Sequence, residues 1–333
     1  TGDTLRYNLV RNTWWMGLGL PNRPAIQNTD VKFPGNQSNY EWMVSNMDKV
    51  KYGMICTQRA EGGLSFRDWL GQYQVAGQPF TEHTWTLFIQ LVSGLVTLRA
   101  FECAHNDLHF GNIMVVPLPE KKKRVYIYQA QDSQGEEQRY MYNLTTQLEL
   151  QHYDWDRGYL KKLGDNPVND QEKCVHYGNC NRYVPQADLL KAVIQMYGLA
   201  DQPTRVFLAH AIAENDSAKP FLEALIQGGN AAFFLRIPDA TVPGGMRSLT
   251  AKELGYFTKP ARFLSLLIEA VEKGHPGIVK LEAYDPAAPR EPGIEYYNFG
   301  YTHIKQSLGR VDANCEQGVY DLDYEVSSDL LTS

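Results

Sequence analysis

From Thr81 to Val116 the chain passes through three kinds of sequence in succession, and few folds accommodate that order. Phe88, Leu91, Val92, Leu95, Leu98 and Phe101 recur at three- and four-residue intervals. The spacing predicts an amphipathic helix over residues 81–101, with Thr81 as its N-cap and one apolar stripe facing a core. The polar stretch His105-Asn106-Asp107-Leu108-His109-Phe110-Gly111-Asn112 follows, and Ile113 to Val116 then alternate as a strand does. A polar loop fixed between a core helix and a strand presents its side chains from a rigid frame.

That loop carries the Asp107 carboxylate and the Asn112 carboxamide five residues apart. A loop carboxylate can accept or orient the proton of an attacking hydroxyl. A carboxamide one short turn later can hold a Mg²⁺ ion that bridges nucleotide phosphates. A second acidic cluster, Tyr153-Asp154-Trp155-Asp156-Arg157-Gly158, follows a strand-like run over 148–153. A carboxylate there could supply a further metal ligand.

An Asn at the fifth position after His-x-Asp, followed by a strand and a further Asp, resembles the catalytic core of the protein kinase-like superfamily. The version Asn106-Asp107-Leu108-His109-x-Gly111-Asn112 is similar to two branches, the aminoglycoside and choline phosphotransferases and the serine/threonine protein kinases of large DNA viruses. The long Tyr-rich segment between the acidic sites, with Val125-Tyr126-Ile127-Tyr128 and Arg139-Tyr140-Met141-Tyr142, is more similar to the viral branch. The resemblance covers residues 40 to 200 or so.

The resemblance implies an α+β, protein kinase-like fold: a partial small lobe and hinge over 1–60, a mainly helical large lobe over 61–275, and a C-terminal extension over 276–333. It implies ATP with Mg²⁺ or Mn²⁺, Asp107 as the base, and Asn112 and Asp154 as metal ligands, with Asp156 as the alternative to Asp154. Backbone groups of Gln58, Arg59 and Ala60 would meet an adenine edge, although a plain strand–turn–helix unit is an equal reading of that region. Asp188 would cap the loop backbone; read alone, it is a carboxylate favoured by a helix N-terminus. His105 would shape the loop through backbone hydrogen bonds, while His109 reads either as a phosphate contact or as a packed loop histidine. Asn106 stands where many protein kinases carry Arg, which would leave an activation-loop phosphate without its partner.

Other parts of a kinase are not identifiable. Gly17-Leu18-Gly19-Leu20 lacks strand flanks, Lys32 lacks its expected context, and no helix Glu stands out. The chain starts with Thr1, which reads as a processed product or a fragment. The expectation is a phosphotransferase with a protein acceptor, nearly silent as this chain alone unless a separate chain or segment supplies the small lobe. The alternative is a kinase-derived pseudoenzyme acting as a structural or binding protein, for example in a virus particle, with the host cytoplasm or virion as its place.

Composition narrows the field further. A net charge of −6 leaves no basic excess for a general nucleic-acid surface. Five scattered cysteines do not make a disulfide scaffold and suit a reducing compartment. No apolar run approaches the ~20 residues that span a bilayer. Cys174, His176 and Cys180 lie close in sequence, but their spacing matches no standard zinc pattern and a fourth ligand is not evident, so an unliganded loop is the reading.

Elsewhere the pattern predicts a short helix and irregular loop within residues 1–40, a strand over 48–58, and an amphipathic turn from Leu64. A solvated turn through Glu120–Arg124 would separate the first strand from two more, 125–129 and 139–144. Helices are expected after Asp188 and over 204–214, 217–227 and 260–273, with an extended or partner-bound acidic tail over 311–333.

Overall fold

The computed structural model describes residues 14–18, 52–56, 62–100, 102–131, 137–155, 157–161, 182–229, 234–285 and 294–298. Expectations for Lys32, Gln58, Arg59, Ala60, Phe101, Asp156, the Cys174/His176/Cys180 group and the acidic tail lie outside the described residues. The chain divides into two compact units, one over Asp3–Ala60 and one that includes Glu61–Ser333. In the first, β1 (Trp14–Leu18) pairs antiparallel with β2 (Tyr52–Cys56), Gly17 opposite Gly53. The short helix expected around Trp14 to Met16 is therefore a strand. Its ladder partner lies more than thirty residues away, beyond what local pattern can register.

The second unit is α+β. Its sheet is dominated by a long hairpin of β5 (Ile113–Gln131) and β6 (Glu137–His152). β3 (Leu64–Ser65) pairs antiparallel with the start of β5, and β10 (Val279–Ala283) pairs antiparallel with β6. β11 (Glu295–Asn298) lies parallel to β5 from Arg124 to Ile127. The first part of the expected C-terminal extension is thus built into the sheet.

The turn expected at Glu120–Arg124 is replaced by a register shift between Pro117 and Lys122 inside the hairpin. The basic run misleads because Arg124 is buried, its Nη2 2.7 Å from Glu149 Oε2. Burial alone would raise the Glu149 carboxyl; the Arg124 guanidinium reverses this and holds it below the ordinary carboxylate range.

Between β3 and the hairpin come α1 (Phe66–Tyr73) and α2 (Glu82–Ala100), with the short β4 (Cys103–Ala104) after α2, paired antiparallel with β7 (Tyr159–Leu160). Thr81 caps α2 as its sequence suggests, its Oγ1 accepting from Thr84 N–H at 3.2 Å. The helix is not striped, however: every residue from Thr84 to Leu98 is buried. Four of its buried polar residues, Thr84, Gln90, Ser93 and Thr97, find hydrogen-bond partners. Gln90 donates to Leu148 O at 3.0 Å and accepts from Leu150 N at 3.2 Å, knitting α2 to β6. Ser93 bonds Tyr142 Oη, and Thr97 donates to Ser93 O. α2 is a core strut with polar side chains satisfied inside the protein.

Behind α2 stand α3 (Pro185–Leu199), α4 (Gln202–Ile212) and α5 (Lys219–Gln227). A small hairpin of β8 (Arg236–Pro238) and β9 (Met246–Ser248) leads to α6 (Ala251–Leu254) and α7 (Pro260–Gly274). α7 closes the core against α2 and the sheet: Phe263 meets Phe88 edge-on at 6.1 Å, and Ser265 Oγ lies 2.9 Å from Tyr128 Oη. Among the described residues no helix is long and apolar enough to cross a membrane.

Candidate functional site

The loop from His105 to Asn112 leaves β4 and ends in one turn of 3₁₀ helix, Phe110–Asn112, which runs into β5. Its backbone is held by one face of α3. The Asp188 carboxylate accepts from His105 N–H at 2.7 Å and Asn106 N–H at 3.2 Å. Lys191 donates to Asn106 O. Gln195 accepts from Phe110 N–H at 2.9 Å and reaches Leu108 O at 3.4 Å. Residues 188, 191 and 195 share a face at helical spacing. Desolvation lowers the Lys191 pKa, with Asp188 and then Asp107 pushing it back up. Lys191 and Gln195 escaped the sequence reading; the available signal was two polar residues three and seven places after Asp188 in an otherwise apolar helix.

So anchored, the loop presents Asp107 with about a quarter of its side chain exposed (24%), Arg157 Nη1 lying 3.4 Å from its Oδ2. Asn112 is buried, and its Nδ2 donates to Asp107 O at 3.0 Å. The carboxamide nitrogen is thus engaged, and its oxygen is the end it can offer a cation. Just past the last hairpin pair, Ile113 opposite His152, Tyr153 N–H donates to Asn112 O at 3.1 Å. Asp154 follows one residue later. Asp107 on the loop and Asp154 after the returning strand both act electrostatically on the His109 ring.

Two non-glycine residues here have left-handed backbones, Asn106 at φ 63° and Asp154 at φ 61°. Asn and Asp are the side chains that tolerate this region best. Asn106 uses its side chain to donate to Arg157 O at 3.0 Å.

The loop histidines divide in role. His105 is fully buried, Nε2 lies 3.0 Å from Tyr153 O, and its ring packs on Trp155 at 4.5 Å. It joins the two halves of the site, as a shape-setting residue should. His152 is buried alongside, its pKa pushed down to about 3 by desolvation and then by His105. His109 accepts from Gly111 N–H on Nδ1 at 3.0 Å, so the neutral ring carries its proton on Nε2. Burial lowers its pKa; Asp107 pulls in the opposite sense, and Arg67 and His105 reinforce the lowering. A Cβ at Gly111 would stand 2.8 Å from the His109 ring, so only glycine fits beneath it.

Among the described residues no group of three or more His, Cys, Asp or Glu could hold a metal ion. A site for Mg²⁺ needs fewer protein ligands, because that ion keeps waters and phosphate oxygens and takes one or two carboxylates from the protein. The hard oxygens of Asp154 and Asn112 fit such a role. Behind Asp188, the Cys103 thiol is buried and pushed up to about 12, chiefly by desolvation, so it remains an inert packing group. Comparison with protein-family models, curated proteins and solved structures returns no match for this chain.

Proposed function

We propose that this chain is a protein kinase-like phosphotransferase that uses ATP with Mg²⁺ or Mn²⁺ and transfers to a serine or threonine hydroxyl. The observation that carries this is the tie between the two halves of the candidate site: a loop clamped by Asp188 carries Asp107 and Asn112, and Tyr153, which precedes Asp154, donates its N–H to Asn112 O. Asp107 orients the acceptor hydroxyl and takes its proton. Asn112 and Asp154 would hold the metal, which supplies charge neutralisation on the phosphates. Phosphoryl transfer asks little covalent chemistry of a protein and much positioning, and a clamped loop provides positioning.

A second reading, a kinase-derived pseudoenzyme serving as a binding or structural protein, draws on Arg157, whose guanidinium lies against the Asp107 carboxylate. One experiment separates the two. Thermal unfolding with ATP and Mg²⁺ is expected to raise Tm through linkage. Transfer of labelled γ-phosphate to a protein acceptor is expected to fall by about 100-fold or more in Asp107→Asn, since general-base catalysis is typically worth that much. An unshifted Tm together with no Asp107-dependent transfer would leave the pseudoenzyme reading.

A further inference from the structure

Among the described residues, Arg157, Lys191 and Arg67 border the loop, and the first two are engaged. Arg157 pairs with Asp107, and Lys191 donates to Asn106 O. The third, Arg67, projects from the first turn of α1 to the loop, where its Nη2 lies 3.5 Å from His109 Nδ1. That nitrogen already accepts from Gly111 N–H, and an imidazole lone pair is no counter-ion. Among the described residues no carboxylate pairs with Arg67; its sequence neighbour Asp68 is bonded to Ser65 Oγ at 2.6 Å. The guanidinium is exposed, yet it lies over the loop: a Cβ on Gly111 would stand 3.3 Å from Nη2. It also lies close enough to Tyr153, whose hydroxyl donates to Gly111 O, to act on that phenol electrostatically. A planar, always-charged fork held open at the border of a reaction site, one residue from Asn112, is suited to a carboxylate or phosphate.

We propose that Arg67 selects the acceptor, favouring a peptide whose hydroxyl residue is flanked by anionic groups. This rests on the phosphotransferase reading for the word acceptor, but the anion preference can be measured without catalysis. The probes are three fluorescent peptides with one central serine, flanked by glutamates, by phosphoserines or by lysines. Their binding to the full chain is followed by anisotropy in the presence of Mg²⁺ and a non-hydrolysable ATP analogue. The anionic peptides are expected to bind about tenfold more tightly than the lysine peptide, the scale of one charge-assisted bidentate contact. Arg67→Ala should abolish that preference, Arg67→Glu should invert it, and Arg67→Lys should keep part of it. A gain with both anionic peptides marks recognition of charge, and a gain with phosphoserine alone marks recognition of phosphate; either supports the proposal.

Equal binding of all three peptides, or a preference that survives Arg67→Ala, would overturn it. So would an Arg67→Ala variant that binds peptides normally but loses the Tm shift with ATP and Mg²⁺, which would assign Arg67 to the nucleotide. Arg67 is exposed, and an unliganded Tm equal to wild type checks that each variant folds. An acidic preference retained in a chain that neither shifts with ATP nor transfers phosphate would sink the phosphotransferase reading and leave the anion site in place.

Discussion

Asp188 gathers the buried N–H of His105 and the half-buried N–H of Asn106 on one carboxylate, and nothing else described accepts from either. Replacing it by alanine leaves both unsatisfied, at about 1–3 kcal/mol for each buried donor left without a partner. Asp188→Ala should therefore lower the urea midpoint by the equivalent of about 3 kcal/mol, and a midpoint equal to wild type would show that water serves the loop equally well. Neighbouring residues show what could be read beforehand. Asp107 and Asn112 stood out by their spacing and flanks, but Asp188 was legible only through the family resemblance. On its own, a lone Asp at a helix start is ordinary. Lys191 and Gln195 act through backbone atoms of another segment, and no local pattern encodes a partner more than eighty residues away.

At the scale of elements, the agreement between sequence and structure follows how local each cause is. α2 was predictable because its period and its Thr81 cap lie within the helix itself. Its burial on all sides was not, because Thr84, Gln90 and Ser93 look solvent-facing until their partners in β6 and the preceding loop are known. The hairpin misled in the opposite direction: three lysines and an arginine suggest solvent, but Glu149 across the ladder draws Arg124 inside. A third element carries the pH dependence. Arg247 of β9 bonds Glu253 of α6 through two nitrogens, at 2.7 and 2.9 Å, and Glu253 also closes a capping box with Thr250. Its pKa is lowered from 4.5 to about 2, chiefly by the Arg247 bond. The folded pKa is depressed, so this stabilisation is complete above about pH 4.5 and is lost as pH falls toward 2. Urea midpoints measured from pH 6 to 2.5 should fall less steeply in Glu253→Gln than in wild type; parallel curves would remove Glu253 from the account.

For the molecule as a whole, the crossing of α2 with α7 and the sheet is the point of greatest dependence. Phe88 is fully buried against Phe263, and a Phe→Ala change in a core costs about 3–5 kcal/mol. Set against a typical total of 5–15 kcal/mol, that is a large share. Phe88→Ala should shift far-ultraviolet circular dichroism and tryptophan fluorescence to lower urea together, because helix and sheet share this core. Separate midpoints for the two signals would mean that the Glu61–Ser333 unit holds more than one cooperative body.

The hairpin between Ile113 and His152 resembles a pair of pliers whose jaws are the two halves of the site. The jaws meet at the rung where Asn112 O receives Tyr153 N–H, and the handles run out toward Gln131 and Glu137. The register shift between Pro117 and Lys122 sits partway along and acts as a slip joint. Changes of strand length beyond it are taken up before they reach the jaws. On the near side there is no such play: deleting a single residue from 113–117 or 148–152 inverts the facing of that strand and brings Asp154 or Asn112 out of mesh. Lineages descending from such a chain are free to lengthen or trim the handles while keeping the gauge of the near rungs residue for residue.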